Sequence, residues 1–468
     1  MFQRFINKLT GTAEDKGMLE QQAFAELNEL APLSADSLPP LEQLGQAEAG
    51  DELKRSLMVR ESVLGRGQRV EGYEFRLNRA RREQIHLTTH STMRLYDEVL
   101  LRNIMLADLD RLLGHRLAFI PLSVYSLNNP LLNQLSQRNA VLMLECTAEC
   151  SADFDRFARD ILPRVEELHQ AGVRIGMTRY NNNPSLEPFF ELADFILLDV
   201  HELPFEQVQK QVQLIQSELI GKQLVARNVD SLEMLHACLK LPFQLFHGPF
   251  VMRREKWESR PLDSGRSSIL RLLNEVRQQA DNQAVAALLK HDATLTYKLL
   301  RFINSPASGL ARQVSSIEQA LMLLGRKPLY RWLTLLLFVS GDSEPLDGAL
   351  LEAALIRGRL MELLWCEQNA AELGDELFVT GVFSLLDKLL RVSMAEVLPA
   401  LNLQAEIEQA LLELKGPYAP YLSLAMASET DAEEEMFGLS SYLGLPADRV
   451  NRHLVDAVVW AQDLDLAA

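Results

Sequence analysis

Cysteine is scarce, with four residues in a chain of 468 (Cys146, Cys150, Cys238 and Cys366). So few thiols in so long a chain cannot form a disulfide framework. Cys146 and Cys150 have no CxxC or Cys/His cluster beside them to make a zinc site. Long apolar runs are also missing. Stretches such as "WLTLLLFV" fall far short of the ~18–20 residues that a membrane span requires. Basic charge is in deficit, 47 Lys and Arg against 64 Asp and Glu for a net charge of −17. That balance disfavours the phosphate backbone, so nucleic acid is not an expected partner. The first residues lack a basic-then-apolar segment with a small-residue cleavage site, and a cytoplasmic location is the expectation.

The length exceeds one ordinary core, and two or three domains are expected. Residues 1–52 read as an amphipathic helix followed by an acidic, Pro- and Ala-rich linker. In "MFQRFINKL" the helical spacing puts Phe2, Phe5, Ile6 and Leu9 on one face. Over 56–258, eight β-rich runs follow one another: "LMVRESVL", "VEGYEFRL", "LAFIPLS", "AVLMLEC", "VRIGMTR", "FILLDV", "QLVARNV" and "FQLFHGPFV". The first two flank a hairpin-type turn, "GRGQ". Amphipathic stretches such as "FDRFARDILPRVEELHQA" separate most of the later ones. The pattern predicts a (β/α)8 barrel with an irregular first strand. Over 262–468 the apolar positions take the helical period, in runs such as "AVAALLKHDATLTYKLLRFINS" and "SIEQALMLLGRKPLYRWLTLLLF". An all-α domain is predicted there, with the break near "SRPLDSG".

Barrels of this kind place their chemistry at the C-terminal strand ends. Here those ends supply Glu74, Pro121, Glu145, the pair Thr178-Arg179, Asp199, Arg227, Asp230 and His247. A metal-dependent phosphodiesterase needs several carboxylates and an activated water. Two glutamates remain with no cluster of acids opposite, and Arg179 and Arg227 bring positive charge to where a cation would sit. The sequence therefore predicts neither metal, nor cofactor, nor catalytic residue in the barrel.

The strand series resembles a diverged EAL domain, the barrel phosphodiesterase of cyclic di-GMP signalling, over roughly residues 57–255. The resemblance implies that the metal-binding glutamate falls on Glu74, with the signature Ala-Leu replaced by Phe75-Arg76. The family's third-strand Asn falls on Pro121. Its fourth-strand glutamate falls on Glu145, and the companion three residues later is Ala148. The tandem Asp-Asp falls on Thr178-Arg179 and the lysine on Leu197, while the nearby Asp199 is kept. Arg227 and Asp230 stand in the Ala-Glu-Gly-Val-Glu stretch, and the Gln before the last glycine is His247. The phosphate-binding arginine expected near Asn78 is missing, although Arg76 and Arg79 flank that position. The implication is a pseudo-enzyme that does not retain cyclic di-GMP, with Arg76, Arg179 and Arg227 as substitute anion contacts. The family habit of pairing through helices near the active face implies a homodimer.

The helical half resembles an HDOD domain, a metal-free relative of the HD phosphohydrolases, over about 265–400. His291-Asp292 spells the HD pair, but it corresponds to the family's Asp-Pro stretch at a helix start, where Asp can cap. Ser384 and Leu385 stand where active HD enzymes put His-Asp, and Asp387 reads as polar surface. Tyr330 and Trp332 read as core. His86 and His90 read as surface histidines, and the basic run 78–83 as a solvated face or a docking patch. The leading expectation is a non-catalytic adaptor touching other signalling or motility proteins in control of motility, pili or surface attachment. A nucleotide sensor, a residual phosphodiesterase on Glu74 and Glu145, and a scaffold in an unrelated pathway stay open.

Overall fold

The computed structural model describes residues 56–77, 90–105, 112, 116–135, 139–145, 152–178, 184–201, 203–252, 264–303, 314, 316–339, 345–369, 373–430 and 432–462. The expected helix and linker in 1–52, the basic run 78–83, His86, Cys146, Ala148, Cys150, Arg179 and the junction at 259–263 lie outside the described residues.

Eight strands close into a barrel in chain order. They are β1 (Met58–Gly65), β2 (Val70–Leu77), β3 (Leu117–Ser123), β4 (Ala140–Glu145), β5 (Arg174–Thr178), β6 (Phe195–Asp199), β7 (Gln223–Arg227) and β8 (Leu245–His247). The expected irregularity of the first strand is a reversal of direction. β1 runs antiparallel to both of its neighbours, β2 and β8, while the remaining pairs are parallel. The chain dictates this. Only a tight turn separates β1 from β2, with Gln68 N donating to Gly65 O at 2.9 Å. So short a link permits only an antiparallel pair. The parallel strands are joined by longer crossovers that carry α1 (His90–Met105), α2 (Ala152–Gln170), α3 (Glu187–Leu192), α4 (Phe205–Glu218) and α5 (Leu232–Leu239).

Alternate residues of each strand face the barrel interior. A separate inner layer forms there from Val63, Phe119, Val141, Met143, Phe195, Leu197, Val225 and Leu245. Gly176 of β5, paired with Phe195, leaves room for Leu197; a Cβ at Gly176 would stand 3.0 Å from Leu197 Cδ1.

The helical region holds α6 (Ser264–Arg277), α7 (Asn282–Lys290), α8 (Ala293–Ile303), α9 (Ile317–Leu324), α10 (Arg326–Val339), α11 (Asp347–Gln368), α12 (Gly374–Phe383) and α13 (Leu386–Leu390). It continues through α14 (Met394–Val397), α15 (Ala405–Glu413), α16 (Ala419–Ala427), α17 (Glu433–Tyr442) and α18 (Ala447–Gln462). Two of the long helical runs are broken, the first at the helix start expected at Asp292. The first stops at His291, and Asp292 Oδ1 accepts from Leu295 N at 3.0 Å to start α8. The second breaks at Gly325, whose φ of +77° glycine adopts without strain. α11 and α12 cross in close contact, with a Cβ on Gly381 reaching to 2.6 Å from Gly358 Cα.

The outer face of the β1–β2 hairpin has no crossover helix of its own, and the helical region covers it. Asn451 of α18, fully buried, accepts from Met58 N at 2.7 Å and donates to Ser56 O at 3.1 Å. Arg60 N donates to Ser428 O at 3.0 Å, and the Arg60 guanidinium lies 3.6 Å from Glu429. The Tyr73 hydroxyl donates to Glu352 of α11, which also pairs with Arg116 at 2.6 Å. Burial and the Glu352 charge push the Tyr73 phenol far above its ordinary pKa, so it acts as a neutral donor. One hydrophobic core runs from Leu57 through the helices to Ala461. Among the described residues no helix is long and apolar enough to cross a membrane.

Candidate functional site

The inward positions at the C-terminal mouth of the barrel are Glu74 and Arg76 on β2, Glu145 on β4, Thr178 on β5, Asp199 on β6, Arg227 on β7 and His247 on β8. β1 adds one more. Its reversed direction brings Glu61 directly across from Glu74 in the ladder, and His247 pairs with Val63 two residues along.

Glu61, Glu74, Arg76, Arg227 and His247 make a continuous ionic network. Glu74 Oε1 accepts from Arg227 Nη2 at 2.8 Å, and Glu74 Oε2 lies 3.2 Å from His247 Nε2. That same imidazole nitrogen stands 2.8 Å from Glu61 Oε2, while Glu61 Oε1 accepts from Arg76. Arg76 Nε also lies 3.7 Å from Glu74 Oε1. Glu61, Glu74, Arg76 and His247 are all nearly or fully shielded from solvent.

Burial alone would raise both carboxyls, because it penalises the charged form. Arg76 and His247 overcome that at Glu61 and hold it well below the usual carboxylate range. Arg227, His247 and Arg76 bring Glu74 down to about 2, against the opposing charge of Glu61. For Arg227, burial works against the charged form, and Glu74 and then Glu145 more than offset it, so its pKa rises further. The network therefore sets two ionised carboxylates, Glu61 and Glu74, against two guanidiniums, Arg76 and Arg227.

Among the described residues, those around Glu74 do not fit a pair of divalent cations. Such ions want several oxygen ligands at short range. Glu74 is enclosed by Arg227, Arg76 and His247, so a metal would have to displace a guanidinium. Pro121 is buried on β3 and offers no donor atom in its side chain. The Thr178 hydroxyl donates to Leu144 O at 3.2 Å. Leu197 belongs to the apolar layer beneath. Among the described residues no group of three or more His, Cys, Asp or Glu side chains is arranged to hold a metal ion.

Asp199 and Asp230 stand apart from the network. Asp199 accepts from the Asn228 side chain and from His201 N at 3.0 Å, and Asp230 Oδ2 lies 3.1 Å from His201 Nδ1. Arg76 and Arg227, expected as substitute anion contacts, each pair with a carboxylate of the network. Glu61 is the site residue that strand-end reasoning misses. Its signal was present: a hairpin centred between Gly67 and Gln68 sets position 61 across from 74, and period two then turns Glu61 inward with Val63.

In the helical half, Ser384 Oγ accepts from Arg357 Nη1 at 2.6 Å and donates to Gly381 O at 2.6 Å, while Leu385 is buried. Asp387 is half-buried and pairs with Lys388 at 3.1 Å. Trp332 is buried, as expected of core, and Tyr330 is partly exposed.

Comparison with known proteins places these features in context. The chain is 25% identical over 307 residues to the cyclic di-GMP phosphodiesterase CdgJ of Vibrio cholerae, a match covering 65% of this chain and 71% of that one. It is 28% identical over 312 residues to YuxH of Bacillus subtilis, covering 65% and 75%. Among solved structures, an EAL domain protein from Listeria monocytogenes aligns with 46% of this chain and 93% of its own, at 12% identity and a TM-score of 0.33. The FimX EAL domain of Pseudomonas aeruginosa, bound to cyclic di-GMP, aligns with 46% and 95%, at 15% identity and a TM-score of 0.33. Residues 264–413 match the HDOD domain family. The chain thus carries an HDOD domain, joined to a closed eight-stranded barrel whose first strand is reversed.

Proposed function

We propose that this protein is a non-catalytic component of cyclic di-GMP signalling that works by touching other proteins. One observation carries the reading. The position that would offer a metal-binding carboxylate, Glu74, is held by Arg227 at 2.8 Å and by His247 at 3.2 Å. A hydrolytic barrel needs a metal-activated water, and this network ties up Glu74, the carboxylate on which one would be assembled. Arg76 and Arg227 are committed to Glu61 and Glu74, which also argues against cyclic di-GMP as a retained ligand. The similarity to a cyclic di-GMP phosphodiesterase supports a place in that circuitry. On this reading the partners are cytoplasmic signalling or motility proteins, and the output is motility, pili or surface attachment. The test is calorimetry of the full chain with cyclic di-GMP, with and without Mg²⁺. The expected result is no binding heat; micromolar binding would favour a ligand sensor and overturn the adaptor reading.

A further inference from the structure

A cavity of about 330 Å³ lies in the helical half, away from the barrel, where the end of α6 meets the starts of α10 and α12 and the α15 segment. Its volume is at the small end of the ~300–1,000 Å³ range of ligand pockets. Four of its lining residues are cationic (Arg277, Arg326, Lys327 and Arg331) and two are acidic (Asp375 and Glu376). In a chain of net charge −17 such a local excess is unexpected.

The acids are already occupied. Asp375 accepts from Arg331 at 3.0 Å, and Arg331 also pairs with both oxygens of Glu362 at 3.1 Å. Glu376 accepts from the Tyr418 hydroxyl at 2.7 Å and from Gln404 at 3.1 Å. Arg326 and Lys327, by contrast, are exposed and have no ion pair among the described residues. They open α10, whose first hydrogen-bonded turn runs from Leu329 N to Gly325 O at 3.3 Å. Gly325 has no side chain to cap the leading amides, so the positive end of the helix dipole adds to both side-chain charges.

Deeper in the cavity, the Tyr330 hydroxyl is buried beside the Arg277 guanidinium. Burial pushes its pKa up to about 12, with Arg277 acting in the opposite direction, so it remains a neutral donor. Val276, Val379 and Ile407 supply apolar wall beside it.

We propose that this cavity binds a small phosphomonoester with an apolar or planar body, its phosphate on Arg326, Lys327 and the start of α10, its body against Tyr330 and the valines. The site is independent of the barrel and of the adaptor reading. A nucleoside monophosphate is the probe of matching size and chemistry.

Calorimetry of the full chain with AMP and GMP, and with inorganic phosphate for comparison, tests it. The expected result is micromolar nucleotide binding at low salt that weakens as salt is added. Arg326→Glu combined with Lys327→Glu, both on the surface, weakens it at least about tenfold. Tyr330→Phe weakens it about fivefold with an unchanged melting temperature. Absence of binding heat with both nucleotides at millimolar concentration overturns the proposal. So does an affinity that the double variant leaves unchanged, or inorganic phosphate binding as tightly as AMP.

Discussion

Arg227 and Glu74, 153 positions apart in sequence, meet at 2.8 Å inside the barrel mouth. The pair ties β7 to β2, strands that are not neighbours in the sheet. It also turns a carboxylate suited to metal binding into an internal counter-ion. Removing the guanidinium leaves a buried anion with only partial compensation from Arg76 and His247. Arg227→Ala is therefore expected to destabilise the protein by about 3 kcal/mol, the cost typical of breaking one side of a buried pair. Urea unfolding followed by circular dichroism measures this. A midpoint indistinguishable from wild type would mean that the network contributes nothing to the fold.

Acid should weaken the barrel in a defined window. Both Glu61 and Glu74 are held below the unfolded carboxylate value of ~4.3. Between the folded and unfolded values the unfolded chain binds more protons, so stability rises with pH there. The contribution is complete above about pH 5 and is lost progressively as the pH falls towards about 2. Glu61→Gln combined with Glu74→Gln should flatten this dependence. Urea midpoints for wild type and variant between pH 3 and 6 decide it, and parallel curves would contradict the network.

The barrel was legible in the sequence because buried parallel strands read as apolar runs punctuated by amphipathic helices. All eight runs became strands, most within a residue or two of their written bounds. Pro121 and Leu197 were legible as strand residues whose side chains offer no ligand atom. The ionic network at the mouth was not legible. The pairing of Arg227 with Glu74, and of His247 with Glu61, depends on barrel closure and on the reversed β1, which join residues far apart in the chain. The docking of Arg60 and Met58 onto Glu429, Ser428 and Asn451 was equally hidden, because the outward face of a hairpin does not name what will cover it.

That docking makes a further prediction. Asn451 bonds both Met58 N and Ser56 O, the strand backbone at the start of β1. Asn451→Leu leaves a buried amide and a buried carbonyl without partners, at a cost on the order of 2–4 kcal/mol. Because one core runs through both halves, the loss should lower a single thermal transition of the full chain. Differential scanning calorimetry reads this directly. A variant that melts as wild type does would refute the view that α18 anchors the first strand.

The most direct measurement of the central claim is incubation of the purified full chain with cyclic di-GMP and Mg²⁺ or Mn²⁺, with the products separated by chromatography. The account predicts that the cyclic dinucleotide is recovered intact. Linear dinucleotide that accumulates with wild type and vanishes in Glu74→Ala would contradict it.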